Sequence, residues 1–365
     1  MSYITSIATA NPPHRIAQAS ITEFMLKTMQ LQNGDSRKLR AIFKGTGIQY
    51  RHSVLSDYGR THDFEFYPNE ASSGFPTTKE RLHLFRKHAL PLSVSSASQA
   101  LSNRNMHAKE ITHLIVASCT GMYAPGLDID LVKALRMNST VDRTAINFMG
   151  CYAAFNAIKI ADAICRSNTQ AKVLIVATEL CSLHFQRNAS DDNILANALF
   201  ADGSAAMIME GKQSDGLCLQ VEGFFNDISA EGGDDMAWSI GDVGFEMRLS
   251  AYVPDIIQRG IRHLTERLLA SLQTDFSHVK HFAIHPGGRR ILEVIEQELG
   301  IQQIQNAAAY EVLENFGNMS SPTVLFVLDA LVKKLTIANA EDRILSFAFG
   351  PGLTMESMLL KIKSV

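Results

Sequence analysis

Three side chains, far apart in a chain of 365 residues, have the types and settings needed to do chemistry together: Cys151, His285 and Asn318. Cys151 follows Gly150 and opens the apolar, helically periodic stretch Tyr152 to Cys165. A thiol at a helix N-terminus meets unpaired backbone N–H groups and the positive end of the helix dipole, which favours thiolate. A free cysteine titrates near ~8.5, and a helix terminus with a protonated histidine brings that well below ~7. Taken alone, a cysteine is a small buried hydrophobe, and Cys165 in mid-helix and Cys218 in a strand-like stretch fit that description. His285 ends the apolar run Phe282-Ala283-Ile284 and starts a Pro286-Gly287-Gly288 turn, where a lone histidine also serves as a turn cap. Asn318, in Phe316-Gly317-Asn318-Met319-Ser320-Ser321-Pro322, could by itself be an N-cap for the next helix. Together they have a sharper meaning. An activated thiol beside two neutral donors is what carbon–carbon bond formation on thioesters requires, because the sulfur carries an acyl group and the donors stabilise an enolate oxygen.

The elements that must hold these groups are apolar, β-branched runs separated by helical segments. Ile111 to Ala117, Lys172 to Ala177, His281 to Ile284 and Arg343 to Phe349 predict buried strands. Ala153 to Cys165, Tyr252 to Leu272, Gly288 to Leu299 and Pro322 to Leu335 predict helices, so the alternation implies a layered α/β fold. The chain also resembles itself. Asn147-Phe148-Met149-Gly150-Cys151 matches Glu314-Asn315-Phe316-Gly317-Asn318 at an offset of 318 − 151 = 167, and Ser118 and His285 end strands at the same offset, 285 − 118 = 167. Val173 to Ala177 matches Ile344 to Ala348 at 344 − 173 = 171, a shift that a short loop insertion explains. Two copies of one βα unit, 1–212 and 213–365, packed about a pseudo-twofold axis, are therefore expected. In such an arrangement the equivalent strand-to-helix turns meet, and with them Cys151, Asn318 and His285.

Composition narrows the function. Hydrophobic residues make up 46% and charged residues 19%, the balance of a folded chain long enough for more than one core. A formal charge of −3, with no long run of Lys or Arg, offers no general attraction to nucleic acid or anionic lipid. The start, Met1 to Asn11, lacks a secretory pattern and no window is apolar enough to span a membrane, so a cytoplasmic protein is expected. Five widely spaced cysteines, Cys119, Cys151, Cys165, Cys181 and Cys218, suit reduced thiols better than a disulfide framework. No metal-ligand spacing is found.

Five segments carry a family resemblance: Gly150-Cys151, Ala198 to Ala206, Ile284-His285-Pro286-Gly287-Gly288, Phe316 to Ser321, and Phe349-Gly350-Pro351-Gly352-Leu353-Thr354. In this order, and over nearly the whole chain, they resemble the thiolase-fold condensing enzymes with a Cys-His-Asn triad, most closely the type III polyketide synthases of the chalcone synthase family. Ketoacyl synthase III relatives typically end the corresponding strand in His-Gln-Ala-Asn, unlike His285-Pro286-Gly287-Gly288 here. The resemblance implies a thiolase-like fold with an α-β-α-β-α layering. It implies acyl transfer from a starter acyl-CoA to Cys151 as an ion pair with His285, then decarboxylation of malonyl-CoA under His285 and Asn318. Iterative condensation and cyclisation follow, with CoA thioesters as substrates and without metal or other cofactor. Phe200 matches a gatekeeping aromatic. Cys119, Cys181, His184, Trp238, Met247 and Ser320 would line the cavity with the Gly350-Pro351-Gly352 loop. Lys38, Arg40 and Lys44 resemble the region that contacts CoA phosphates, and the family acts as a homodimer, with the loop around Met122 to Gly126 reaching toward the partner's cavity.

The chain also departs from the plant pattern. Met247 falls where a second gatekeeping Phe usually stands, and Trp238, the only tryptophan, falls where glycine is common. An indole there should shorten the cavity and disfavour a large starter or a long product. Two other functions compete: a single ketoacyl synthase III-like condensation with a carrier-protein donor, and a non-catalytic acyl-CoA-binding protein of the same fold.

Overall fold

The computed structural model describes residues 1–364 with the exception of 71, 72 and 234. The first half runs β1 (Tyr3–Ala10), β2 (His14–Ala17), α1 (Gln18–Met29), α2 (Asn33–Gly45), β3 (Tyr50–Ser53), α3 (Thr78–Asn103), β4 (His113–Ser118), α4 (Leu127–Ala134), β5 (Asp142–Asn147), α5 (Ala153–Ser167), β6 (Lys172–Leu180), α6 (Asp191–Leu199) and β7 (Asp202–Glu210). The second half runs β8 (Leu217–Ile228), β9 (Met236–Gly241), β10 (Gly244–Leu249), α7 (Val253–Ser271), β11 (Val279–Ile284), α8 (Arg289–Leu299), α9 (Ala307–Phe316), α10 (Thr323–Val332), β12 (Arg343–Gly350) and β13 (Thr354–Ser364).

One nine-stranded sheet has the order β11-β12-β13-β8-β1-β7-β6-β4-β5. Its two arms mirror each other. β4, β6 and β7 follow one another from parallel to antiparallel pairing, and so do β11, β12 and β13. The arms join where Tyr3 and Ile4 of β1 pair with Gln220 and Leu219 of β8. β6 and β7 are buried along nearly their whole length, as near-continuous apolar strands covered on both faces must be.

Helices supply the layers. α3 packs on β1, β6 and β7, α5 packs on β4 and β6, α10 packs on β1, β7 and β11, and α7 packs on β8 and β13 beside α8. α10 is apolar on all sides and buried from Thr323 to Asp329, because it lies between the two arms. This is the expected α-β-α-β-α order, with α5 and α10 in the middle layer. The turns into those two helices carry Cys151 and Asn318. Gly150 (φ +73°) and Gly317 (φ +69°), the residues before them, both have a positive φ, again 317 − 150 = 167 apart.

The predicted strands and helices are present with small shifts at their ends. β6 continues past its apolar run to include Thr178 and Glu179, because buried donors receive those polar groups. The β9–β10 hairpin had no clear signal in the sequence. Among the described residues no helix is long and apolar enough to cross a membrane.

Candidate active site

The turn that carries Cys151 is set by close packing between the halves. Cys151 sits in a short 3-10 turn, Gly150–Tyr152, that leads into α5. A Cβ on Gly150 would lie 2.1 Å from Cδ of Pro351, and one on Gly350 would lie 2.4 Å from the Tyr152 ring. The loop after β12 therefore rests directly on this turn. The Gly150 N–H donates to Cys119 Sγ at 3.0 Å, which fixes the turn from the end of β4.

Asn318 is held by its surroundings in one orientation. Its Oδ1 accepts from the Ser320 N–H at 2.8 Å and from Thr323 Oγ1 at 3.4 Å, and Cys151 Sγ lies 4.0 Å from it. Its Nδ2 donates one hydrogen to Gly287 O at 3.3 Å. His285 follows β11 and is fixed through its backbone, whose N–H donates to Phe347 O at 2.9 Å. Both of its ring nitrogens are buried and have no partner among the described residues. All three side chains line one cavity.

Burial dominates the electrostatics. It pushes the Cys151 thiol up to about 12, against hydrogen bonds from Ser320 and Asn318, and it pushes His285 down to about 3. Burial thus opposes the thiolate that a helix terminus with a protonated histidine was expected to favour. The 3-10 turn takes the sulfur into a dry pocket, where a lone charge costs more than a few N–H groups return.

One buried carboxylate ties the floor together. Glu179 accepts from Cys119 N at 2.9 Å, Thr120 N at 3.0 Å, Thr120 Oγ1 at 2.7 Å, Ser118 Oγ at 3.3 Å and Ser321 Oγ at 2.7 Å. Burial raises its pKa and these donors lower it. Glu179 was not picked from the sequence, although it is the only charge in the run Val173 to Leu180, and that was the available signal.

Most of the expected cavity residues are where the resemblance puts them: Cys119, Cys181, Phe200, Trp238, Met247, Ser320 and Pro351 all line the cavity. Three are not. Gly350 and Gly352 lie behind the lining, where Gly350 admits Tyr152 and Gly352 (φ +71°) shapes the loop. His184 faces a second cavity, because both of its nitrogens are engaged with backbone.

The sequence profile of the N-terminal domain of chalcone and stilbene synthases matches residues 1–213, and that of the C-terminal domain matches residues 226–364. The chain belongs to the chalcone and stilbene synthase family. It is a type III polyketide synthase, a malonyl-CoA-dependent condensing enzyme. It is 30% identical over 366 residues to the alpha-pyrone synthesis polyketide synthase-like Pks18 of Mycobacterium tuberculosis, covering 99% of this chain and 91% of that protein. The crystal structure of PKS-I from the brown alga Ectocarpus siliculosus superposes with a TM-score of 0.93 at 29% identity, covering 99% of this chain and 98% of that one. The C-terminal type III polyketide synthase domain of Steely1 from Dictyostelium gives 0.89 at 27%, covering 99% of each chain.

The basic residues expected to contact CoA phosphates, Lys38, Arg40 and Lys44, are exposed on α2. Lys38 pairs with Asp191 and Arg40 with Glu23. Arg40 and Lys44 line a surface groove with Glu23 and Tyr50 that shares no residue with the catalytic cavity. The groove that does adjoin the cavity, sharing Leu249, Gly287 and Ile291 with it, runs between α2, α6 and the start of α8. Its arginines are Arg289 and Arg290, both more than half exposed and both near Glu293.

Proposed function

We propose that this type III polyketide synthase loads an acyl group from a CoA thioester onto Cys151 and extends it by repeated decarboxylative condensation with malonyl-CoA. The observation that carries the reading is the convergence of Cys151, Asn318 and the two unpartnered nitrogens of buried His285 on one enclosed cavity.

The residues support each step. As sulfur attacks the starter thioester, the Cys151 proton passes to His285, the carbon–sulfur bond to CoA breaks, and the departing CoA thiolate takes that proton. The malonyl thioester oxygen then accepts hydrogen bonds from His285 and Asn318, so the charge that builds on it as carbon dioxide leaves meets oriented donors in a dry site. The enolate carbon attacks the acyl carbonyl on Cys151, and the sulfur is released as a thiolate and reprotonated. Phe200 offers the malonyl carboxylate an apolar wall, which favours its loss. No step calls on a metal or a further cofactor.

The groove that adjoins the cavity suits a pantetheine arm, with Arg289 and Arg290 at its rim for the phosphates, in place of Lys38, Arg40 and Lys44. The halves 1–212 and 213–365 act as one unit here, since each supplies part of the triad. A homodimer is supported by the open edge of β5 and by exposed Met122 in the loop expected to reach the partner.

Incubating the purified protein with malonyl-CoA and a panel of acyl-CoAs, then weighing the products, tests the proposal. Products carrying one starter and several malonyl-derived units are expected. Activity only with malonyl-carrier protein, or a single condensation with every starter, would overturn it.

A further inference from the structure

A buried cation lies behind the catalytic cavity. Arg51, on β3, is only 2% exposed, and it does not line the cavity. Its hydrogen bonds run to neutral oxygens: Nε donates to Gln18 Oε1 at 2.8 Å, and Nη1 donates to Asn197 O at 2.8 Å and to Phe200 O at 2.6 Å. The guanidinium carbon lies 5.7 Å from the centre of the Phe43 ring. Burial pulls Arg51 down to about 10, which leaves it charged at neutral pH.

The carbonyls it holds close the end of α6. The last C=O groups of a helix have no partner inside it, so they must find one elsewhere. Here each has its own: Arg51 takes Asn197 O and Phe200 O, Gln18 Nε2 donates to Ala198 O at 2.8 Å, and the Asn318 N–H donates to Leu199 O. A cation at this point also meets the negative end of the helix dipole. Phe200 and Asn318 form a parallel bridge, and Arg51 touches both sides of it. Its fork holds Phe200, while its aliphatic stem lies against Gly317, where an added Cβ would come 3.0 Å from Arg51 Cγ and 3.1 Å from Cδ. One side chain thus ties the residue before the amide donor to the apolar wall.

We infer that Arg51 is a positioning residue for decarboxylation, which sets the spacing of Phe200 and Asn318 from behind the cavity without touching substrate. The inference rests on the polyketide reading of the site. A donor aimed at a developing oxyanion has to be held closely, and a shift of about 1 Å costs up to about 100-fold in rate. Loading of Cys151, as proposed above, draws on His285 and not on Asn318, so the two half-reactions should respond differently.

Three variants grade the hold. Arg51→Met removes the fork, Arg51→Lys keeps the charge and one donor group, and Gln18→Met frees Nε and Ala198 O while leaving Arg51 in place. Malonyl-CoA decarboxylation should fall roughly 10- to 100-fold in Arg51→Met and less in the other two. Acyl transfer to Cys151, followed by intact-protein mass spectrometry, should stay within about threefold of the parent. Hydrogen–deuterium exchange at the Asn318 and Ala201 N–H groups, which make the bridge, should quicken relative to β6. In an Asn318→Ala background, Arg51→Lys should cost less than it does in the parent, because the donor it positions is gone. Unchanged decarboxylation in the folded Arg51 variants would overturn the inference, and so would equal losses in loading and decarboxylation, which a merely structural role would give. If Arg51→Met does not fold, Arg51→Lys and Gln18→Met carry the same comparison. A parent protein that decarboxylates no malonyl-CoA would instead overturn the function proposed above, while the exchange at Asn318 and Ala201 still decides whether Arg51 holds the bridge.

Discussion

The backbones of Phe200 and Asn318 run side by side as a short parallel bridge between the two halves of the chain. The Asn318 N–H donates to Leu199 O at 2.9 Å, and the Ala201 N–H donates to Asn318 O at 2.8 Å. The apolar wall and the amide donor are thereby placed by one pair of hydrogen bonds, with the side chain of Asn318 left for the cavity.

Because the backbone makes the bridge, Asn318→Ala should fold and yet lose the donor. Malonyl-CoA decarboxylation should fall by roughly 100 to 1000-fold, the usual cost of one oxyanion donor. Steady-state decarboxylation with a thermal melt on the same sample measures both. A loss below tenfold in a folded variant would remove Asn318 from the chemistry.

Gly150→Ala should disable the nucleophile without touching it. The new methyl would sit 2.1 Å from Pro351 on a backbone at φ +73°, and the strain of a non-glycine residue there costs about 1–3 kcal/mol before any clash. A lower Tm and loss of acyl transfer to Cys151 are expected by calorimetry and intact-protein mass spectrometry.

The pH dependence of Cys151 alkylation separates a lone thiol from a coupled pair. On the proposed transfer of the Cys151 proton to His285, the pair forms without exchanging a proton with solvent, so between about pH 6 and 9 the iodoacetamide rate of the parent protein should be nearly flat. In His285→Ala no internal acceptor remains, and burial leaves the thiol at about 12. Thiolate must then form by loss of a proton to solvent, so the rate should be low at neutral pH and climb about tenfold per pH unit. Equal profiles for the two proteins would contradict the coupling.

Glu179→Ala should be the most destabilising single change at the site. It would strip an acceptor from the Cys119 and Thr120 N–H groups and from three hydroxyls. Each buried donor left unpaired costs about 1–3 kcal/mol. Denaturant unfolding should show a loss of several kcal/mol, smaller for Glu179→Gln, which keeps one acceptor oxygen.

Much of this was legible in the sequence because the relevant signals are local. Apolar runs gave the four predicted strands, and the shared offset of 167 residues aligned the turn at Gly150 with that at Gly317, both of which have a positive φ. What was not legible depends on groups brought from elsewhere. The raised Cys151 pKa follows from burial by the second half, and no residue near position 151 announces it. His184 looked like cavity lining, but contacts from Thr120 and Phe245 turn it away from the cavity. The hairpin of Trp238 and Met247 is short and half-exposed, so its periodicity is weak. Lys38 and Arg40 lie on an amphipathic helix as expected, and Asp191 and Glu23, distant or unremarked in sequence, decide what they pair with.

The most direct measurement is mass spectrometry of the Cys151 peptide after brief exposure of the protein to an acyl-CoA, alone and then with malonyl-CoA. The expected result is a thioester on Cys151 that disappears into extended product when malonyl-CoA is added, and that is absent in Cys151→Ala. Product formed with Cys151 unmodified, or formed equally well by Cys151→Ala, would contradict it.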